Sequence, residues 1–139
     1  MPGTLLNSGK LYILNSIKTQ IDATNLYMGL MTTSYNPANT SQIGSGITEF
    51  DPSPNGSGYS SRKLVSSWAV YSGVDPYLSG EYIEFTISGV WENVNGYFIA
   101  ESNVTGVADI LWVEPFPLEK QGIKTSSESI IVSPRYYLN

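Results

Sequence analysis

Through residues 81–88 the side chains alternate without a break. Ile83, Phe85 and Ile87 fall on one side, and Tyr82, Glu84, Thr86 and Ser88 on the other. Successive residues of a strand point to opposite faces, so this period of two specifies a half-buried strand in a sheet with one wet face. The same period sets Leu64, Ser66, Trp68 and Val70 against Val65, Ser67, Ala69 and Tyr71. Shorter strand-like runs follow at residues 96–101, 108–114 and 129–133. Turn signals separate them: Ser88-Gly89, Asn95-Gly96, and Pro115 with Pro117. Several short strands with regular turns predict a mainly β chain, folded as an antiparallel β-sandwich or jelly-roll-like barrel.

The N-terminal part differs. Leu6, Ile13, Leu14, Ile17 and Ile21 approximate one face of a helix over residues 5–21, with Ser8 as a candidate cap. This is the one helix the sequence predicts, and it would cover an open end or face of the β structure. Leu26-Tyr-Met-Gly-Leu-Met-Thr then reads as a strand. Residues 33–58 are rich in Ser, Asn, Pro, Thr and Gly, with Ile43, Ile47 and Phe50 as apolar anchors; they predict a long flexible loop in which residues 47–50 pair as an edge strand. With 139 residues, 1–139 is expected to be a single domain.

The chemistry open to this chain is narrow. It contains neither Cys nor His, so Ser–His–Asp and Cys–His mechanisms, thiolate metal sites and the commonest transition-metal ligand are excluded. A carboxylate pair is the remaining conventional acid–base device, with Glu84 and Glu114 the best placed. Alternation puts Glu84 on the solvated face, however, and nothing else builds a cleft. Gly44-Ser-Gly and Asn55-Gly-Ser-Gly lack the Gly-Lys-Ser/Thr ending of a phosphate loop. Asp51 and Asp75 lack the spaced ligands of a calcium loop. No catalytic, cofactor-binding or metal-ligating residue is therefore assigned, and no enzyme activity is expected. Seven Lys and Arg in a chain of net charge −5 make nucleic acid a poor partner. No apolar run reaches the length of a membrane span, and the N-terminal segment lacks the pattern of a signal peptide. The expectation is a protein kept in a cytosol, or in something assembled there.

Aromatic residues are the more informative feature. There are ten Tyr and three Trp, while charged residues are only 14% of the chain. Trp91 and Trp112 are expected in the core. So many tyrosines cannot all be interior, since each hydroxyl needs a partner. Partly exposed Tyr and Trp form interface hot spots, or stack on sugar rings.

Read in order, several segments resemble a family of small virion structural proteins of tailed bacteriophages. They are Leu5-Leu-Asn-Ser-Gly-Lys opening a helix, Leu26-Tyr-Met-Gly-Leu-Met-Thr-Thr, and Ile47-Thr-Glu-Phe leading to Gly58-Tyr59 and Arg62. Gly89-Val-Trp-Glu-Asn-Val-Asn-Gly-Tyr-Phe-Ile and Ala108-Asp-Ile-Leu-Trp follow. Two residues separate Tyr59 from Arg62 where the family pattern has one. The resemblance implies a place in a virion assembled in a bacterial cytoplasm, with capsid cement (decoration) protein the first choice. It also implies a homotrimer that locks the shell by contact with the major capsid protein or another virion protein. A glycan- or receptor-binding module of a tail or fibre, or another small tail or baseplate protein, is the alternative. The residues expected to make the contacts are Tyr35, Phe50, Tyr59, Arg62, Tyr71, Tyr77, Tyr136 and Tyr137, from the long loop, the sheet and the C-terminal tail.

Overall fold

The computed structural model describes residues 3–138. Helix α1 spans Asn7–Asp22 and the strands follow it: β1 Leu26–Met31, β2 Gln42–Ile43, β3 Gly46–Ile47, β4 Gly56–Ser57, β5 Lys63–Val65, β6 Ala69–Tyr71 and β7 Tyr77–Ser79. The second half adds β8 Ile83–Thr86, β9 Ser88–Val94, β10 Gly96–Ala100, β11 Ile110–Pro115, β12 Gly122–Thr125, β13 Ser129–Val132 and β14 Arg135–Tyr137. The fold is mainly β, a sandwich-like packing of antiparallel sheets with one N-terminal helix. The four-stranded sheet runs β11-β10-β1-β5, accompanied by β12-β9-β4, β14-β7-β6 and the pair β13-β8. β2 and β3 make a short parallel contact.

Helix α1 begins two residues later than the periodicity suggests. Its N-cap is Leu6, with no side-chain cap, so Ser8 lies within the first turn instead. Leu14 and Ile21 are buried, Ile17 packs beside them, and the helix rests on β6 and β7.

β10 is the centre of the molecule, and all five of its residues are buried. Tyr97 and Ile99 face the main core, with Met28 and Leu30 of β1, Phe85, Trp91 and Val94. Phe98 and Ala100 face the other way, into a smaller core with Met31, Ile47 and Ile110. A strand enclosed on both faces loses alternation and reads as a continuous apolar run. Across the pair, Phe98 sits opposite Gly29. A Cβ on Gly29 would fall 2.1 Å from Phe98 Cζ, so the ring occupies the space that a side chain would need.

The stretch at residues 33–58 carries more structure than the flexible loop expected, while the expected pairing near residues 47–50 is present beside the end of β1. It carries β2, β3 and β4, and it buries Ile47 in the smaller core and Phe50 in the main one. Phe50 N–H donates to Leu30 O at 2.8 Å, and Thr32 N–H to Thr48 O at 3.0 Å, which ties the stretch back to the end of β1. At one of its glycines close packing leaves no room for a side chain. A Cβ at Gly56 would lie 2.6 Å from Val90 O, where β4 closes against β9.

The alternating run at residues 63–71 is also broken. β5 pairs with β1, whereas β6 pairs with β7 in another sheet. Ser67, at φ 56°, makes the corner. Between these strands Trp68 turns inward, 6% exposed, and donates from Nε1 to Val65 O.

Candidate interaction face

The residues expected at an interface divide into two groups. Phe50, Tyr59 and Arg62 lie inside the fold, at 3%, 8% and 2% exposure, so they are not available to a neighbouring chain. Their role is internal. Arg62 directs its five N–H donors to five acceptors: Nε to Glu49 Oε2 at 3.2 Å, Nη2 to Glu49 Oε1 at 3.0 Å and Val107 O at 2.8 Å, Nη1 to Asp109 Oδ1 at 2.7 Å and Ser102 O at 3.2 Å. The planar guanidinium suits this forked contact with Glu49, and it lies 4.9 Å over the Phe98 ring. Glu49 also accepts from Tyr59 Oη at 2.6 Å and Gly106 N at 2.7 Å. Tyr59 Oη in turn accepts from Leu30 N at 3.1 Å.

The electrostatics follow from this packing. Burial pulls the Arg62 pKa down, but the hydrogen bonds and charges of Glu49 and Asp109 outweigh it and hold the group above its usual range. Burial, and then the Glu49 carboxylate, push the Tyr59 phenol far above the ordinary tyrosine value. With every guanidinium donor occupied, no part of Arg62 is left for a ligand. The cluster is a staple that fixes residues 102–109 and residues 49–50 onto the outer face of the central sheet.

In the second group Tyr35, Tyr71 and Tyr137 are exposed, and Tyr77 and Tyr136 are half-buried. In the sheet β14-β7-β6, Tyr137 and Tyr71 both pair directly with Tyr77. The Tyr71 and Tyr77 rings stack with centroids 4.8 Å apart at 27°, and Tyr77 meets Tyr137 at 5.0 Å and 42°. Arg135 places its guanidinium 4.8 Å over Tyr77. A Cβ on Gly73 would come within 2.3 Å of Tyr71 Cε1, so that glycine lies close against the ring at the end of the ladder. Tyr71 is 53% exposed and Tyr137 40%. Tyr136, one residue off in register, turns to the other side and packs on Trp112 at 5.2 Å. Tyr35 is exposed and is not part of the ladder. Asn139, the end of the expected C-terminal tail, lies outside the described residues.

The acid–base candidates do not converge. Glu84 stands exposed on β8 opposite Ile131, while Glu114 lies on β11 opposite Tyr97. Burial raises the Glu114 pKa above the usual carboxylate value, against contributions from Tyr97 and Arg135 that lower it. A hollow of about 580 Å³ bordered by α1, β1 and β11 is lined by one carboxylate, Glu101. Sequence reasoning missed the partnership of Glu49 and Asp109 with Arg62. One available signal was that Glu49 lies in the short run Ile47-Thr-Glu-Phe, beside apolar residues in a chain where charge is scarce. No protein-family model, curated protein or solved structure matches this chain.

Proposed function

We propose that the chain is a non-catalytic structural domain acting through protein–protein contact, and that it is a virion component of a tailed phage, with capsid cement the first assignment. The observation that carries the contact reading is the ladder of Tyr71, Tyr77 and Tyr137 with Arg135 beside it. Tyr and Arg are the residues that dominate protein interfaces, and here they are pre-arranged across three paired strands. The rings lie against one another, so a partner meets mainly ring edges and hydroxyls. Sugar stacking asks for open ring faces, whereas the ladder rings cover one another. The virion part of the proposal rests on the short sequence resemblances alone. Its partners would be a second copy, as a trimer, and the major capsid protein or another virion protein.

Sedimentation of the purified protein at micromolar concentration tests the contact reading. It should give a multiple of 15.2 kDa, and the double change Tyr71→Ser with Tyr137→Ser should return it to monomer with its fold intact. A wild-type protein that stays monomeric when concentrated would refute self-association through this face. Mass spectrometry of purified particles and thermal release of the genome, with and without the protein, test the particle assignment. A cement protein is present in many copies and raises the release temperature; an unchanged release temperature would overturn that assignment.

A further inference from the structure

The four-stranded sheet ends at β11 and the β8 pair ends at β13. A cleft of about 440 Å³ lies between them, lined by Glu114 of β11, its cross-strand partner Tyr97 and each of residues 129–133. Alternate residues of a strand face opposite ways. A cleft that touches five consecutive residues therefore runs along the strand's backbone edge. Half of the backbone groups of β13 turn away from β8, and among the described residues no other strand takes them. On β11 the Gln42 side chain occupies both backbone groups of Ile110, at 2.8 Å each, as a neighbouring strand would. Nothing among the described residues does the same along the rest of that edge. Unpaired edges of this kind are templates for an added strand.

The cleft also has a charge preference. Lys120 and Lys124 line it, and among the described residues neither has an ion-pair partner. Two lysines against the one carboxylate of the lining, Glu114, leave the cleft locally positive on a chain of net charge −5. Ile130, Ile131 and Val132 supply an apolar wall beside them. We propose that the cleft between β11 and β13 accepts an extended segment of a partner protein, added as a strand, with carboxylates directed to Lys120 and Lys124. The site does not involve the tyrosine ladder, which belongs to another sheet, so either proposal stands without the other.

The probe is the synthetic peptide Thr-Val-Thr-Val-Thr-Val-Asp-Asp, compared with a twin ending in Lys-Lys and a twin N-methylated at alternate residues. Binding is followed by amide resonances and hydrogen exchange of the whole protein. The acidic peptide should slow exchange at residues 111–115 and 129–133 and bind at least tenfold tighter than either twin. Lys120→Glu with Lys124→Glu, both at positions outside the buried core, should reverse the preference between the acidic and basic peptides. No binding of the acidic peptide at about 1 mM would overturn the proposal. So would equal binding of the N-methylated twin, protection elsewhere on the protein, or a preference unmoved by the lysine reversal.

Discussion

Replacing Arg62 by Met removes the guanidinium while keeping much of the aliphatic stem over Phe98. Five hydrogen bonds go with it, three of them to the carboxylates of Glu49 and Asp109. The side chains of Glu49 and Asp109 are only 7% and 18% exposed. Breaking a buried ion pair by deleting one partner costs about 3–5 kcal/mol, because the charge left behind has lost its compensation. Glu49 keeps Tyr59 and Gly106 as donors, which moderates its share, whereas the Ser102 and Val107 carbonyls lose their guanidinium donor. The expected loss is therefore about 3–4 kcal/mol, a large part of the roughly 5–15 kcal/mol that holds a domain folded. Arg62→Lys keeps the charge but cannot serve five acceptors from one point, so it should recover less than half of the loss. Urea unfolding of both variants measures the change, and proteolysis should show cleavage at residues 102–109 before global unfolding. A loss below about 1 kcal/mol for Arg62→Met would place the pair in the class of surface ion pairs and refute the staple.

Two further outcomes follow from buried contacts. Gly29→Ala forces the Phe98 ring from beneath Arg62 and should cost about 3 kcal/mol by thermal or urea unfolding; adding Phe98→Leu should restore part of it, and additive losses would show that the ring is not the obstacle. Tyr59 and Tyr97 both have phenols raised well above the ordinary value near 10 by burial. An acid raised in the folded state contributes stability that is fully present below the unfolded pKa and is lost as pH rises past it. Each group should therefore subtract about 1.4 kcal/mol per pH unit above about 10, and alkaline titration of tyrosinate absorbance should show these two ionising only together with unfolding.

Much of the fold was legible where one face is wet. β8 follows its alternation residue by residue: Ile83 and Phe85 are buried, and Glu84 and Thr86 exposed. The helix was legible because Leu14, Ile17 and Ile21 share a stripe. The break at residues 66–68 was not, although parity held a clue. Val65 and Trp68 are both buried, and residues three apart cannot face the same side of one strand, so the chain had to turn over between them. The packing of residues 33–58 was hidden for a different reason. That stretch buries few side chains, and its anchoring relies on backbone hydrogen bonds and on Glu49, none of which leaves a periodic trace in the sequence.

Parity also explains how much of the candidate site could be read. Aromatic surplus correctly pointed to exposed tyrosines, but composition assigns no face. Register does: Tyr71, Tyr77 and Tyr137 meet only because β6 and β14 both pair with β7 at the same level. Consecutive Tyr136 and Tyr137 must then diverge, one toward Trp112 and one into the ladder. That divergence follows from the sequence as soon as residues 135–137 are taken as a strand; which strand it joins does not, because pairing between β7 and β14 spans nearly the whole second half of the chain. Arg62 went unread by the same logic. Its partners, Glu49 and Asp109, are brought to it by β1 and β10, and a single buried charge has no period of its own. The long-range pairings that create both features accompany the packing of the two cores, and an aromatic ladder of this kind can be read only once the register is known.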